Sequence, residues 1–192
     1  ESLQTEFIYF SQVEDGVLQT GNFRGSYRSS KIITFHKHFD RIEVRQQNTS
    51  YYFDPESPLS RSEHANINTP ILASLEIKAT EGEDSIFLIS GDDLFLSEKI
   101  AMIKPPSRPG RKSALGKLSD NKTKIQDFNI YPENLEVRVD YVYDNASPTV
   151  QASALTDSRY ITVGYRHALM QMPEDGFTPR KDDARIGFFI TQ

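Results

Sequence analysis

The sequence predicts an all-β protein, mainly antiparallel, built as packed layers of the β-sandwich kind or as one strongly curved sheet with few short helices. Three observations carry this reading. Apolar residues recur at every second position in at least six segments, which is the period of a half-buried strand. No segment sustains the 3.6-residue period of a long helix. Short stretches rich in Gly, Pro, Asp and Asn punctuate the alternating runs. The 192 residues are read as a single β-rich domain over 1–192, with two β layers joined by residues 104–124 as the variant of that plan.

Taken in order, Phe7, Tyr9 and Val13 share one face of an opening strand, and Glu14-Asp15-Gly16 turns the chain. Residues 31–35 (KIITF) and 41–45 (RIEVR) are strands flanking 36–40, which reads as a hairpin connection. Ile42 and Val44 face one way and the charged Arg41, Glu43 and Arg45 the other, the pattern of a strand with one wet face. Residues 48–68 are polar, with Asp54-Pro55 and Ser57-Pro58, and read as loop with room for one helical turn. In 70–78, Ile71, Ala73, Leu75 and Ile77 alternate, and 80–84 (TEGED) turns the chain into 85–89 (SIFLI), giving a second hairpin. Gly91-Asp92-Asp93 caps a short helix or turn, carboxylates being favoured at a helix N-terminus. Residues 104–124 break the composition with prolines, glycines and a cluster of basic residues. The strongest alternation is 134–144, where Leu135, Val137, Val139, Tyr141 and Tyr143 share a face. It returns in 160–169 through Ile161, Val163, Tyr165, His167 and Leu169, and in 185–190 through Ile186, Phe188 and Ile190.

The formal net charge of -5 argues against nucleic acid as a partner, since phosphate binding calls for a basic surface. The basic cluster in 104–124 reads accordingly as a solvated loop. The absence of cysteine removes disulfides, thiolate metal sites and thiol nucleophiles. No apolar run approaches the roughly 18 residues of a membrane span. The first residues, ESLQTEFIYF, show no signal-peptide pattern, so an exported protein would be represented here by a mature or trimmed chain.

Few residues suggest chemistry. His36 and His38 form an H-x-H pair with usable metal geometry if extended, but they fall in the expected connection and no further ligand is implied. His64 lies in a polar loop. His167, on an apolar strand face, reads as a half-buried, hydrogen-bonded residue rather than a base. Glu81, Glu83, Asp84, Asp92 and Asp93 lack the spacing of a calcium loop and read as solvated turn carboxylates. Asn48, Asn121 and Asn145 open glycosylation sequons, a short and common motif. Tyr51, Tyr52 and Phe53 are consecutive; they suit either an exposed stacking surface or a strand buried on both faces. There is no phosphate loop, nucleophile elbow or H-E-x-x-H helix, and no catalytic or metal constellation emerges.

Three stretches carry a family likeness. They are Ile130-Tyr131-Pro132-Glu133-Asn134-Leu135-Glu136-Val137; His167-Ala168-Leu169 followed by Met172-Pro173; and Pro179-Arg180-Lys181-Asp182-Asp183-Ala184-Arg185-Ile186-Gly187-Phe188-Phe189. In order and spacing they resemble the β-rich domain that precedes the catalytic domain in bacterial zinc-dependent metalloproteases of the met-zincin type. Ala168, Met172 and Phe188 depart mildly from that family's pattern. The resemblance singles out Pro132, Asn134, Glu136, His167, Pro179, Arg180, Asp183, Arg185 and Gly187 as a structural motif. It implies a non-catalytic accessory domain supporting the fold or substrate cleft of a downstream peptidase domain on the same polypeptide. Zinc belongs to that downstream domain, with no cofactor in this chain, and the setting is periplasmic, outer-membrane-associated or secreted. Peptide or protein substrates are the further partners implied.

A physical reading stands beside the likeness. Pro179 disfavours helix at Thr178. Arg180, Asp183 and Arg185 are near enough for two guanidiniums to share one carboxylate, and Gly187 permits close backbone approach. The expected role is a rigid joint between domains. The alternative function class is a free-standing glycan- or protein-binding β module using exposed aromatics.

Overall fold

The structure, a computed structural model, describes residues 5–16, 20–51, 67–82, 86–105, 113–148 and 156–173. The strands are β1 (Phe7–Asp15), β2 (Tyr27–His38), β3 (Arg41–Gln46), β4 (Ile71–Glu81), β5 (Ile86–Ile89), β6 (Lys117–Leu118), β7 (Lys124–Tyr131), β8 (Asn134–Asp144) and β9 (Tyr160–Gln171). One short helix, α1 (Asp92–Phe95), follows β5. All strands belong to one sheet of order β5-β4-β3-β2-β1-β9-β8-β6, with β7 also on β8. β6 pairs with the far end of β8 (Asp144, Tyr143) and β7 with the rest, so the two share one edge of β8 while β9 takes the other. Every pairing is antiparallel, and the sheet curls into a half-barrel.

Register fixes which side chains face inward, because directly paired residues share a face. Ser11, His167 and Val137 are aligned across β1, β9 and β8, as are Val13, Tyr165 and Val139. These residues are buried and form the floor of the concave face. Above the floor lies a plug: Leu94 and Phe95 of α1, then Ile100, Ala101 and Ile103, all buried, with Leu115. Fully burying a side chain such as Ile100 or Ile103 contributes about 1.5–3 kcal/mol each. That holds a segment in place which has little regular structure of its own.

An irregular buried segment must still satisfy its polar groups. Tyrosines of the floor do this. Tyr141 donates to the Phe95 carbonyl at 2.5 Å. Tyr143 donates to Glu98 Oε1 at 2.8 Å, and the same oxygen accepts the Lys104 N–H at 2.7 Å. Tyr165 donates to Asn22 Oδ1 at 2.8 Å.

Two expectations change, and a third is not reached. The connection expected at 36–40 shrinks to Phe39 and Asp40, because β2 continues through His38, which pairs with Arg41. Phe39 takes a positive φ of 53°, and this allows so tight a turn. β6 and β7 are strands where only a loop and a motif were read. The strand expected at 185–190 lies outside the described residues.

Candidate functional site

The plug occupies one end of the half-barrel, and among the described residues nothing covers the other. At the open end an apolar groove of about 290 Å³ is lined by Phe7, Phe35, Ile130, Tyr131, Leu135 and Leu169, together with Pro132, Glu133, Asn134 and Gln171. Phe7 and Phe35 meet edge to face at 5.6 Å. The sequence builds this wall through the β7–β8 hairpin. Pro132 and Glu133 form its two-residue turn, since Tyr131 pairs with Asn134. Pro132 fixes its own φ, and neither turn residue has a positive φ, so the turn is not of the primed types that match strand twist. Ile130, just before it, is 74 % exposed. Asn134 Oδ1 is buried without a hydrogen-bond partner, which leaves one acceptor at the groove unsatisfied. A smaller polar cleft of about 220 Å³ lies between Lys117 and Asn121 and against Asp144.

Between groove and plug sits His167, 1 % exposed. Its Nδ1 is 2.8 Å from Tyr9 Oη and its Nε2 2.9 Å from Tyr141 Oη. Tyr141 has already committed its proton to the Phe95 carbonyl. It must therefore accept from His167 Nε2–H, and Tyr9 must donate to Nδ1. The imidazole is neutral with one defined tautomer, and burial pulls its pKa down to about 3. Rings of Tyr9, Phe95, Tyr141 and Tyr165 surround it at 5.7–6.3 Å. Burial likewise raises Tyr9, Tyr141 and Tyr143, and pushes Tyr165 up to about 12, so no hydroxyl of this cluster ionises near neutrality. Sealed from solvent and fully committed, the cluster is a structural keystone with no route for substrate.

On the convex face, Arg138 and Arg166 are directly opposite each other. Glu14 separates their charges, with Arg138 Nε 2.8 Å from Oε2 and Arg166 Nη2 on Oε1. Asp15 adds a 2.8 Å contact to Arg138, and Glu136 a 3.5 Å contact to Arg166. This ladder ties β1, β8 and β9 together. Its members are partly exposed, so each pair is worth only about 0–1 kcal/mol.

The residues singled out by the resemblance thus separate. Pro132 and Asn134 line the groove, Glu136 belongs to the outer ladder, and His167 is a core residue, fully rather than half buried. Pro179, Arg180, Asp183, Arg185 and Gly187 lie outside the described residues. His36 and His38 sit on β2 opposite Glu43 and Arg41. His36 Nε2 is 2.9 Å from Thr34 Oγ1; burial and then the Arg45 charge lower its pKa. Among the described residues no group of three or more His, Cys, Asp or Glu is placed to hold a metal ion. Tyr51 is exposed and outside any strand, while Tyr52, Phe53 and His64 fall outside the described residues. Asn48 Oδ1 accepts the Ser50 and Tyr51 amides in a local turn, and Asn145 accepts the Ser147 amide locally while donating to the distant Ala114 carbonyl. In the basic stretch, Lys104 donates to the Gly116 carbonyl and Lys122 pairs with Asp144. The groove residues Phe7, Phe35 and Leu169 were legible only as core positions; nothing in their alternation marks the end of the sheet that no described residue covers.

Residues 25–192 match the family model of a domain of unknown function, DUF5117. No curated protein and no solved structure matches the chain.

Proposed function

We propose that this chain, which belongs to the DUF5117 family, is a non-catalytic accessory domain of a secreted or periplasmic bacterial zinc-dependent metalloprotease, and that its open groove receives the peptidase domain of the same polypeptide. One observation supports this most: Tyr131 to Leu135 of the first motif and Leu169 of the second, far apart in sequence, line the same groove. The chain also leaves β9 there, at Gln171. An apolar groove bearing an unsatisfied acceptor, Asn134 Oδ1, suits a protein surface that brings both apolar side chains and an N–H donor. Zinc, in this reading, is held by the peptidase domain, and this chain contributes no ligand. The alternative, a glycan-binding module, draws on exposed aromatics. Tyr27, Phe39 and Tyr160, however, stand at the start of β2, in the β2–β3 turn and at the start of β9 rather than in one groove.

The test uses the parent polypeptide and this chain side by side. Ile130→Asp should leave the unfolding midpoint of this chain unchanged, because Ile130 is already exposed. In the parent it should reduce peptidase activity or its resistance to heat inactivation. The isolated chain should not hydrolyse casein with or without added zinc. Chelator-sensitive proteolysis by this chain, or a parent protein indifferent to Ile130→Asp, would overturn the reading.

A further inference from the structure

The sheet ends on one side at β7, whose inner edge bonds to β8; among the described residues no strand pairs with its outer edge. The bulge between Ile125 and Asp127 leaves Phe128 to Tyr131 as a regular stretch. Tyr131 and Asn134 close the two-residue turn, so the backbone groups of Tyr131 and Asn129 point to β8 and those of Ile130 and Phe128 point away. The Phe128 N–H is taken by the neighbouring Asp127 Oδ1 at 2.9 Å. The Ile130 N–H and the carbonyls of Ile130 and Phe128 therefore form the outward edge. Phe128 and Ile130 stand opposite Val137 and Leu135, on the concave side, and are 61 % and 74 % exposed. Ile130 also lines the apolar groove. Edges of this kind are ordinarily blunted or covered, and an extended partner segment covers them by adding a strand.

We infer, on the groove reading proposed above, that an extended segment of the peptidase domain adds antiparallel to the outer edge of β7 and lays alternate apolar side chains over Phe128 and Ile130. All pairings in the sheet are antiparallel, and a strand that keeps this rule runs away from the β7–β8 turn. Glu133, exposed in that turn, favours a basic side chain where the strand enters. The residue opposite Ile130 exchanges two backbone hydrogen bonds with it, whereas the one opposite Phe128 only donates to its carbonyl. The small size of the surface selects a segment of the same polypeptide. The ten groove-lining residues and Phe128 fall short of the roughly 20–30 residues a side that hold separate chains together. A tethered domain is present at an effective concentration of about millimolar, where so small a contact suffices. In this chain alone Ile130 stays exposed, which is why Ile130→Asp spares its stability.

Proline separates strand pairing from apolar contact. Ile130→Pro removes only the outward N–H, a change that edge strands tolerate. Ile130→Ala removes more of the side chain and keeps the donor. In this chain the two variants should unfold at similar midpoints. In the parent polypeptide, Ile130→Pro should shorten the half-life of peptidase activity under heat about fivefold more than Ile130→Ala does, the equivalent of one hydrogen bond. Equal half-lives would overturn strand addition. If Ile130→Asp were still harmful, the groove reading would stand; if all three variants were harmless, both would fall. Hydrogen exchange needs no variant, and so decides the matter even where proline disturbs β7. The Ile130 amide should exchange about tenfold or more slowly in the parent than in this chain, and equal rates count against the pairing. Equally slow exchange in this chain would place the partner strand within it, and protection that grows with its concentration would assign the edge to a second copy. Either result overturns the inference.

Discussion

Lowering the pH from 7 to 4.5 should weaken this fold through His167, and the size of the effect follows from its surroundings. In the fold, burial holds the imidazole neutral down to about pH 3. In the unfolded chain it takes up a proton near its ordinary value of about 6.5. Between these values the unfolded state binds more protons. The contribution is therefore complete above about pH 6.5 and is lost as the pH falls toward the folded value. One such group changes stability by about 1.4 kcal/mol per pH unit, which comes to about 2.5 kcal/mol between pH 7 and 4.5. The titratable groups in contact with it are tyrosines, which stay neutral in this range. Carboxylates elsewhere also respond to acid, so the measurement is a difference. Urea unfolding of wild type and His167→Gln is followed at both pH values and read as midpoints at constant slope. Gln keeps an acceptor for Tyr9 and a donor for Tyr141. The variant should start about 1–3 kcal/mol less stable and lose about 2.5 kcal/mol less on acidification, so the two proteins converge. Parallel losses would refute the neutral buried imidazole, as would a nitrogen spectrum placing the proton on Nδ1 rather than Nε2.

Two substitutions probe the backbone. A Cβ at Gly116 would stand 2.0 Å from the Asp144 carbonyl oxygen and 2.5 Å from its carbon, so Gly116→Ala must push β6 off the end of β8. A loss of about 1–3 kcal/mol in denaturant unfolding is expected, and none would mean that the approach is looser than described. Phe39→Gly should act in the other direction. Phe39 is 83 % exposed at φ 53°, where an L-residue costs about 1–2 kcal/mol and glycine little. A gain of about 0.5–1 kcal/mol should appear as a higher urea midpoint; a loss would mean that the ring packing on His38 outweighs the strain.

Most of the sheet was legible because one wet face and one dry face impose strict alternation. Val137, Val139, Tyr141 and Tyr143 are buried in that rhythm, as are Ile42 and Val44. β7 escaped because a bulge shifts its phase between Ile125 and Phe128, and because its inward residues remain exposed. The plug escaped for a different reason. The segment carrying the buried Ile100 and Ile103 is tied at Phe95 and Glu98 by tyrosine hydroxyls from β8, and such pairing leaves no local period. The motif at 130–137 drew attention to Pro132 and Asn134 by likeness. That they border an apolar groove depends on Phe7 and Phe35, whose proximity only the folded sheet supplies.

The position of β1 constrains how the molecule comes into being. This strand is hydrogen-bonded on both sides, to β2 and to β9, so residues 7–15 join partners drawn from opposite ends of the chain. At translation rates of about 5–20 residues per second, β1 waits roughly 8–30 s for β9 to be synthesised. Until then one of its edges is bare, and the tyrosines that anchor the plug, Tyr141 and Tyr143, do not yet exist. Non-local pairing of this kind slows folding and prolongs the exposure of apolar surface. The family match begins at residue 25, past β1. A polypeptide started there would lack a central stave of the half-barrel and would present β2 and β9 as two raw edges to each other or to its neighbours.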